Sequence, residues 1–259
     1  MYRKRSILSL LLVAAFILSA CSGAPTKSPA AGKTIHWSYE GEEGPLHWGQ
    51  LDPSFAACAE GQSQSPIDLT AAANEDLPNI SFHYQPSAVR ILNNGHTVQV
   101  NYDPGSYMEI NGQRYDLTQF HFHAPSEHAI NGKLLAAELH LVHKSVGGQL
   151  AVVGVLLREG KENAAYKPVW DNLPAQQSPQ TDAGVKVNAA NLLPVNQTTY
   201  RYSGSLTTPP CTEGVSWFVM TEPVDLSAGQ IAAFEKIFEG NNRPLQPLNE
   251  RKLIKDISP

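Results

Sequence analysis

Gln119-Phe120-His121-Phe122-His123 and Glu138-Leu139-His140-Leu141-Val142-His143 are the stretches that decide the reading of this chain. Both alternate apolar with polar residues, the period-two pattern of a half-buried β-strand. Residues i and i+2 of a strand share a face, so His121 and His123 project together. A neighbouring strand carrying His140 completes a set of three imidazoles. Three imidazoles without an evident fourth protein ligand suit a catalytic zinc, which keeps one position open for water. The pattern points to hydration or hydrolysis chemistry.

Similar β-type segments recur at 98–102, 107–110, 151–157 and 215–221. Asn94-Gly95, Pro104-Gly105 and Asn111-Gly112 punctuate them with turn signals. The unbroken apolar run 150–157 predicts a strand covered on both faces. Helical pattern is scarce. Ser227 to Gln230 reads as a capping box opening a helix with Ile231, Phe234, Ile237 and Phe238 on one face, stopped near Gly240. A second short helix is expected over 164–173. The fold expectation is mainly β within the α+β class: a mostly antiparallel sheet with short peripheral helices.

The first residues read as an export signal. Arg3, Lys4 and Arg5 precede an apolar stretch from Ile7 to Leu18, too short to span a bilayer comfortably. Leu18-Ser19-Ala20-Cys21 looks like a bacterial lipobox, so residues 1–20 are expected to be removed and Cys21 lipidated; the alternative is an ordinary secretory signal. Residues 21–33, rich in Ala, Pro, Ser, Gly and Lys, read as a flexible tether, and 34–259 as one domain. The chain has 19 basic and 24 acidic residues, or 16 and 24 without Arg3, Lys4 and Arg5. That balance gives no electrostatic case for nucleic acid. With Cys21 assigned to processing, Cys58 and Cys211 remain, a natural disulfide in an oxidising compartment. Two free buried thiols are the alternative.

Glu138 lies two residues before His140, and Gln119 two before His121, so each shares the strand face of its histidine. Zinc-bound imidazoles donate their second N–H to a carboxylate or carbonyl, and these two side chains are placed to accept it. His143, three residues after His140, belongs to the opposite face. His128 reads as a hydrogen-bonded core histidine. His36, His47 and His83 carry no supporting signal.

The chain resembles the α-class carbonic anhydrases of the exported bacterial kind. The resemblance rests on Trp37-Ser38-Tyr39, Gln64-Ser65-Pro66-Ile67, Asn93-Asn94-Gly95-His96, the two histidine strands, Ser126-Glu127-His128, the run from Ser205 to Cys211 (Ser-Leu-Thr-Thr-Pro-Pro-Cys), and Asn241-Asn242-Arg243-Pro244. It implies that His121, His123 and His140 hold Zn2+ on the central strands of a large twisted sheet. It implies reversible hydration of carbon dioxide to bicarbonate and a proton by a zinc-bound hydroxide. Thr207 would accept a hydrogen bond from that hydroxide and donate its own proton to Glu127, with Thr208 at the pocket mouth. His96 would be the proton shuttle, with Tyr39, Asn94 and Gln99 ordering the intervening water. Val142, Val152, Leu206 and Trp217 would form the apolar wall for carbon dioxide. Cys58 and Cys211 match the disulfide of secreted members.

Two departures from the common animal pattern bear on the pocket rim rather than the metal set. Ala124-Pro125 replaces Trp-Gly after the second histidine, and Lys144 replaces an aromatic after His143. A catalytically silent relative serving as a surface binding module is the competing expectation, and such relatives usually lack a zinc histidine. A zinc peptidase is disfavoured because no His-Glu-x-x-His helix is present.

Overall fold

The computed structural model describes residues 35–258. The expected signal segment, Cys21 and the tether lie outside the described residues. Ten strands form the path of a 13-stranded sheet, in the order Ala73–Glu75, Ile254–Asp256, Thr199–Ser205, Glu213–Met220, Leu150–Glu159, Ala137–Lys144, Gln113–His123, Val98–Asn101, Ser87–Asn93 and Ser178–Val187. Most neighbours are antiparallel, as expected. Leu150–Glu159 runs parallel to Glu213–Met220 and to Val224–Leu226, and Ala73–Glu75 parallel to Ile254–Asp256.

The central strand Gln113–His123 changes phase partway along. Tyr115 and Leu117 are buried in the same core cluster as Phe120 and Phe122, which strict alternation forbids. A register shift between Leu117 and Gln119, against Ala137–Lys144, supplies the extra residue. Beyond it, Phe120 and Phe122 enter the larger core while His121 and His123 turn to the other face. His121 then stands opposite His140, and His123 opposite Glu138. Leu150–Glu159 is buried from Ala151 to Leu157, as its apolar run requires. Gly154 lies opposite His140, and a Cβ there would meet Glu138 Oε1 at 2.9 Å, so the close approach requires glycine.

Two apolar clusters sandwich the sheet's middle. The larger holds Phe120, Phe122, Leu139, Leu141, Val153 and Val155 beneath the peripheral helices. The smaller holds Val152, Tyr202, Trp217 and Val219, with Val142 and Leu206 at its margin. The helix Ala228–Glu235 opens with the expected capping box between Ser227 and Gln230. It ends before Gly240 because the chain tightens after Glu235, Ile237 N–H bonding the Phe234 carbonyl. The helix expected over 164–173 is divided into a 3-10 turn, Ala164–Tyr166, and a short α-helix, Lys167–Trp170. Pro168 has no N–H to continue a single helix but fits the first turn of a new one. Asn111 and Gly112, both at positive φ, close the expected hairpin between Tyr107–Ile110 and Gln113–His123.

Candidate metal centre

His121, His123 and His140 come together as the strand register dictates. Their ring centroids lie 5.1, 5.3 and 4.7 Å apart, and one nitrogen of each lies within 4.8 Å of the others. The remaining nitrogen of each ring is committed elsewhere. His121 Nδ1 donates to Gln119 Oε1 at 2.9 Å, His123 Nδ1 to the Asn241 carbonyl at 2.7 Å, and His140 Nε2 to Glu138 Oε1 at 3.0 Å. Each acceptor fixes a tautomer, leaving Nε2, Nε2 and Nδ1 with free lone pairs. His123 Nε2 is buried and has no hydrogen-bond partner, an orphan that needs an explanation.

Burial lowers the pKa of all three imidazoles, that of His123 to about 4, and His121 falls well below its ordinary value as burial is joined by the charges of His123 and His140. Neutral rings at pH 7 are what a metal requires of histidine. The donor set therefore fits zinc: three neutral imidazoles, each oriented by an outer acceptor, with an orphaned nitrogen aimed at the common point.

Glu138, His128 and His140 form a second close-set trio. Its carboxylate is already saturated. Oε1 accepts from His128 Nδ1 (2.7 Å) and His140 Nε2, while Oε2 accepts from the backbone N–H groups of Glu127 (2.9 Å) and His128 (2.8 Å). Burial alone would raise the Glu138 pKa, but the His128 and His140 charges and hydrogen bonds overcome it and hold the carboxyl well below its usual range. This trio is thus a hydrogen-bond network supporting His140, not a second metal site. His128 Nε2 continues it to the Tyr202 hydroxyl at 2.7 Å, which lies 2.8 Å from Ser65 Oγ.

Glu127 is fully buried, and desolvation pushes its pKa up to about 7 against the opposing influence of His140, the Thr207 side chain and the Arg243 backbone N–H. Oε1 accepts that N–H at 2.9 Å. Oε2 lies 3.5 Å from His123 Nε2 and is buried without a hydrogen-bond partner. The loop carrying Thr207 is pinned by Leu206 N–H to the Thr212 carbonyl and Cys211 N–H to the Thr208 carbonyl. Cys58 and Cys211 are disulfide-bonded, tying that loop to the helix Ala57–Glu60.

A cleft of about 130 Å³ opens beside the imidazoles, lined by Trp37, Tyr39, Asn94, His96, Thr97, Gln99, Gln119, His121, His123 and Thr208. A larger hollow, about 430 Å³ beside Arg201 and Arg251, is lined by none of the three histidines. The cleft thus gathers Tyr39, Asn94, His96, Gln99 and Thr208. Two of them carry structural work as well: Asn94 Oδ1 accepts the N–H groups of His96 and Thr97, and Gln99 Nε2 donates to Asn101 Oδ1. The Tyr39 hydroxyl is buried without a partner, and burial together with the Glu127 charge keeps it protonated. Val142 pairs with Val152, Val152 with Trp217, and the Trp217 ring lies 4.9 Å from that of His140. His143 faces the other side, 2.7 Å from the Tyr84 hydroxyl, as its sequence offset predicts.

Asn241 is the contact that sequence reasoning left without a role. Its carbonyl holds His123 from 118 residues away, and its side chain also binds the Ala124 N–H and the carbonyls of His96 and Phe122. The Asn241-Asn242-Arg243-Pro244 motif was the only available signal. A backbone acceptor leaves no mark on residue identity.

The family model for eukaryotic-type carbonic anhydrase matches residues 43–257. A carbonic anhydrase of Nostoc sp. is 45% identical over 262 residues, covering 98% of each chain. One of Pectobacterium carotovorum is 42% identical over 241 residues, covering 93% of this chain and 97% of that one. The solved alpha-carbonic anhydrase of Thermovibrio ammonificans, in complex with the inhibitor sulfanilamide, superposes with a TM-score of 0.84 at 45% identity, over 86% of this chain and 100% of that one. Likeness of this extent spans both histidine strands and the loops that buttress them, and on that ground the chain belongs to the eukaryotic-type (alpha) carbonic anhydrase family.

Proposed function

We propose that this chain performs zinc-dependent, reversible hydration of carbon dioxide to bicarbonate and a proton, with His121, His123 and His140 holding the metal. The observation that carries the reading is the set of three neutral, pre-oriented imidazoles with converging free nitrogens. Zinc, when bound, supplies a Lewis acid that lowers the pKa of a coordinated water to about 7, a value established on carbonic anhydrases as a class rather than derived from this chain.

The protein's own groups do the rest. Ionised Glu127 accepts a hydrogen bond from the Thr207 hydroxyl, leaving the threonine oxygen to act as an acceptor that orients the reacting water. A divalent cation held by the three histidines would favour the Glu127 carboxylate over the neutral form that burial promotes. Val142, Val152, Leu206 and Trp217 offer carbon dioxide an apolar surface, and Thr208 lies at the entrance. His96 accepts the released proton on a ring nitrogen, across water ordered by Tyr39, Asn94 and Gln99. Export, removal of residues 1–20 and lipid anchorage through Cys21 complete the proposal. The disulfide agrees with an oxidising compartment, and among the described residues no helix is long and apolar enough to cross a membrane.

Stopped-flow hydration assays on protein of measured zinc content, before and after chelation, test the reading. Activity should follow zinc stoichiometry and return on readdition. Full activity in chelated protein would refute it.

A further inference from the structure

We infer that the hollow beside Arg201 and Arg251 is a binding site for a small aromatic carboxylate, separate from the histidine cleft. Strand pairing makes the hollow. Arg201 stands opposite Phe218 and Ile254, and Ser203 opposite Ser216, so these side chains share one face of the sheet. Tyr202 and Trp217 alternate with them and send their rings to the other face, where the Trp217 ring lies 4.9 Å from that of His140. The two serines are small and directly paired, so the floor is low beside the larger side chains of Phe218 and Ile254. The chain just before Ile254–Asp256 brings Arg251 and Lys252 to the rim. The space enclosed is about 430 Å³, within the range of small-molecule sites.

Charge selects the ligand. Arg201, Arg251 and Lys252 line the hollow and, among the described residues, no Asp or Glu does, although the chain has a formal net charge of -5. Arg251 is held in place without being neutralised. Its Nε, Nη1 and Nη2 donate to the carbonyls of Leu248, Ser203 and Pro247 at 2.9, 2.9 and 2.7 Å. One N–H on each terminal nitrogen is left to offer. Arg201 is anchored to Asp256 at 2.6 Å and to Thr199 at 2.8 Å, and its Nη1 has no partner among the described residues. Burial draws both guanidinium pKa values down, a cost that an anion in the hollow offsets. A carboxylate matches the forked N–H groups of a guanidinium. A flat ring covers the apolar side at Phe218 and Ile254, where the Arg201 guanidinium already lies 5.8 Å from the Phe218 ring centre. A bare inorganic anion would satisfy the cations and leave that side wet.

The test titrates 2-naphthoate into zinc-loaded protein by calorimetry, with 2-naphthamide as its neutral counterpart and inorganic phosphate as competitor. Naphthoate should bind at one site that survives zinc chelation, and naphthamide should bind at least about tenfold more weakly. Lys252→Glu, at the exposed rim, should weaken naphthoate about five- to tenfold while hydration proceeds at the parental rate. Ser203→Phe fills the floor and should abolish binding. Absence of saturable binding overturns the site. So does its complete loss on chelation, which puts naphthoate on the metal. Equal affinity for naphthamide leaves only an apolar surface, and displacement by equimolar phosphate leaves only a charged one; either result overturns the assignment. An unchanged affinity in both variants places the ligand elsewhere and overturns it too.

Discussion

Replacing Glu138 with glutamine removes one negative charge and almost no volume from a fully buried position, and its consequences can be worked from four hydrogen bonds. The carboxylate accepts His128 Nδ1 and His140 Nε2 on one oxygen and two backbone N–H groups on the other. An amide supplies only one acceptor oxygen. Whichever way it turns, two buried donors lose their partner and face an NH2 group. At about 1–3 kcal/mol for each stranded donor, the loss is about 2–6 kcal/mol. For a domain of this size that lowers Tm by roughly 5–20 °C. Zinc affinity should fall about 10- to 100-fold, because His140 Nε2 loses its anionic acceptor whichever end of the amide faces it. The contribution of this carboxylate depends on pH in a definite sense. Its folded-state pKa is depressed, so its stabilisation is present above the unfolded value near 4.5 and is lost as the pH falls further. Thermal melts of zinc-loaded and chelated protein, with zinc titrated against a competing chelator, measure both effects. A glutamine variant that binds zinc as tightly as the parent and melts within about 2 °C of it would refute the reasoning.

Other outcomes follow from the same geometry. His123→Ala removes the orphaned nitrogen and should abolish both stoichiometric zinc and hydration, measured by elemental analysis and stopped flow. His96→Ala should retain zinc and turn over more slowly, with added imidazole restoring part of the rate; no imidazole effect would remove His96 from the shuttle role. His143, whose pKa is lowered to about 4 by burial, contributes stability that is complete above the unfolded value near 6.5 and is lost as pH falls from there to 4. His143→Gln should flatten the stability profile across that window by about 3 kcal/mol, read from urea melts at a series of pH values.

The sequence by itself determined which residues could share a face. Alternation places His121 with His123 and Gln119, Glu138 with His140, and His143 away from them, because a strand repeats every two residues whatever it packs against. Local chemistry likewise marked the Asn111-Gly112 turn and the Ser227 cap. Recognition of a family supplied Thr207, Glu127 and His96, none of which has a local signature strong enough to stand alone. Only the tertiary structure decided register. The extra residue near Thr118 carries Tyr115 and Leu117 into one core with Phe120 and Phe122, and antiparallel pairing then sets His121 opposite His140. It also decided that Asn241 would hold His123, that His128 would anchor Glu138, and that Trp37 would cover His96. Those partners lie at separations from 10 to 118 residues, and two of them act through a backbone carbonyl or a ring face. Such contacts follow from where the folded chain brings atoms together, whereas the periodicity of a strand is written into its neighbours along the sequence.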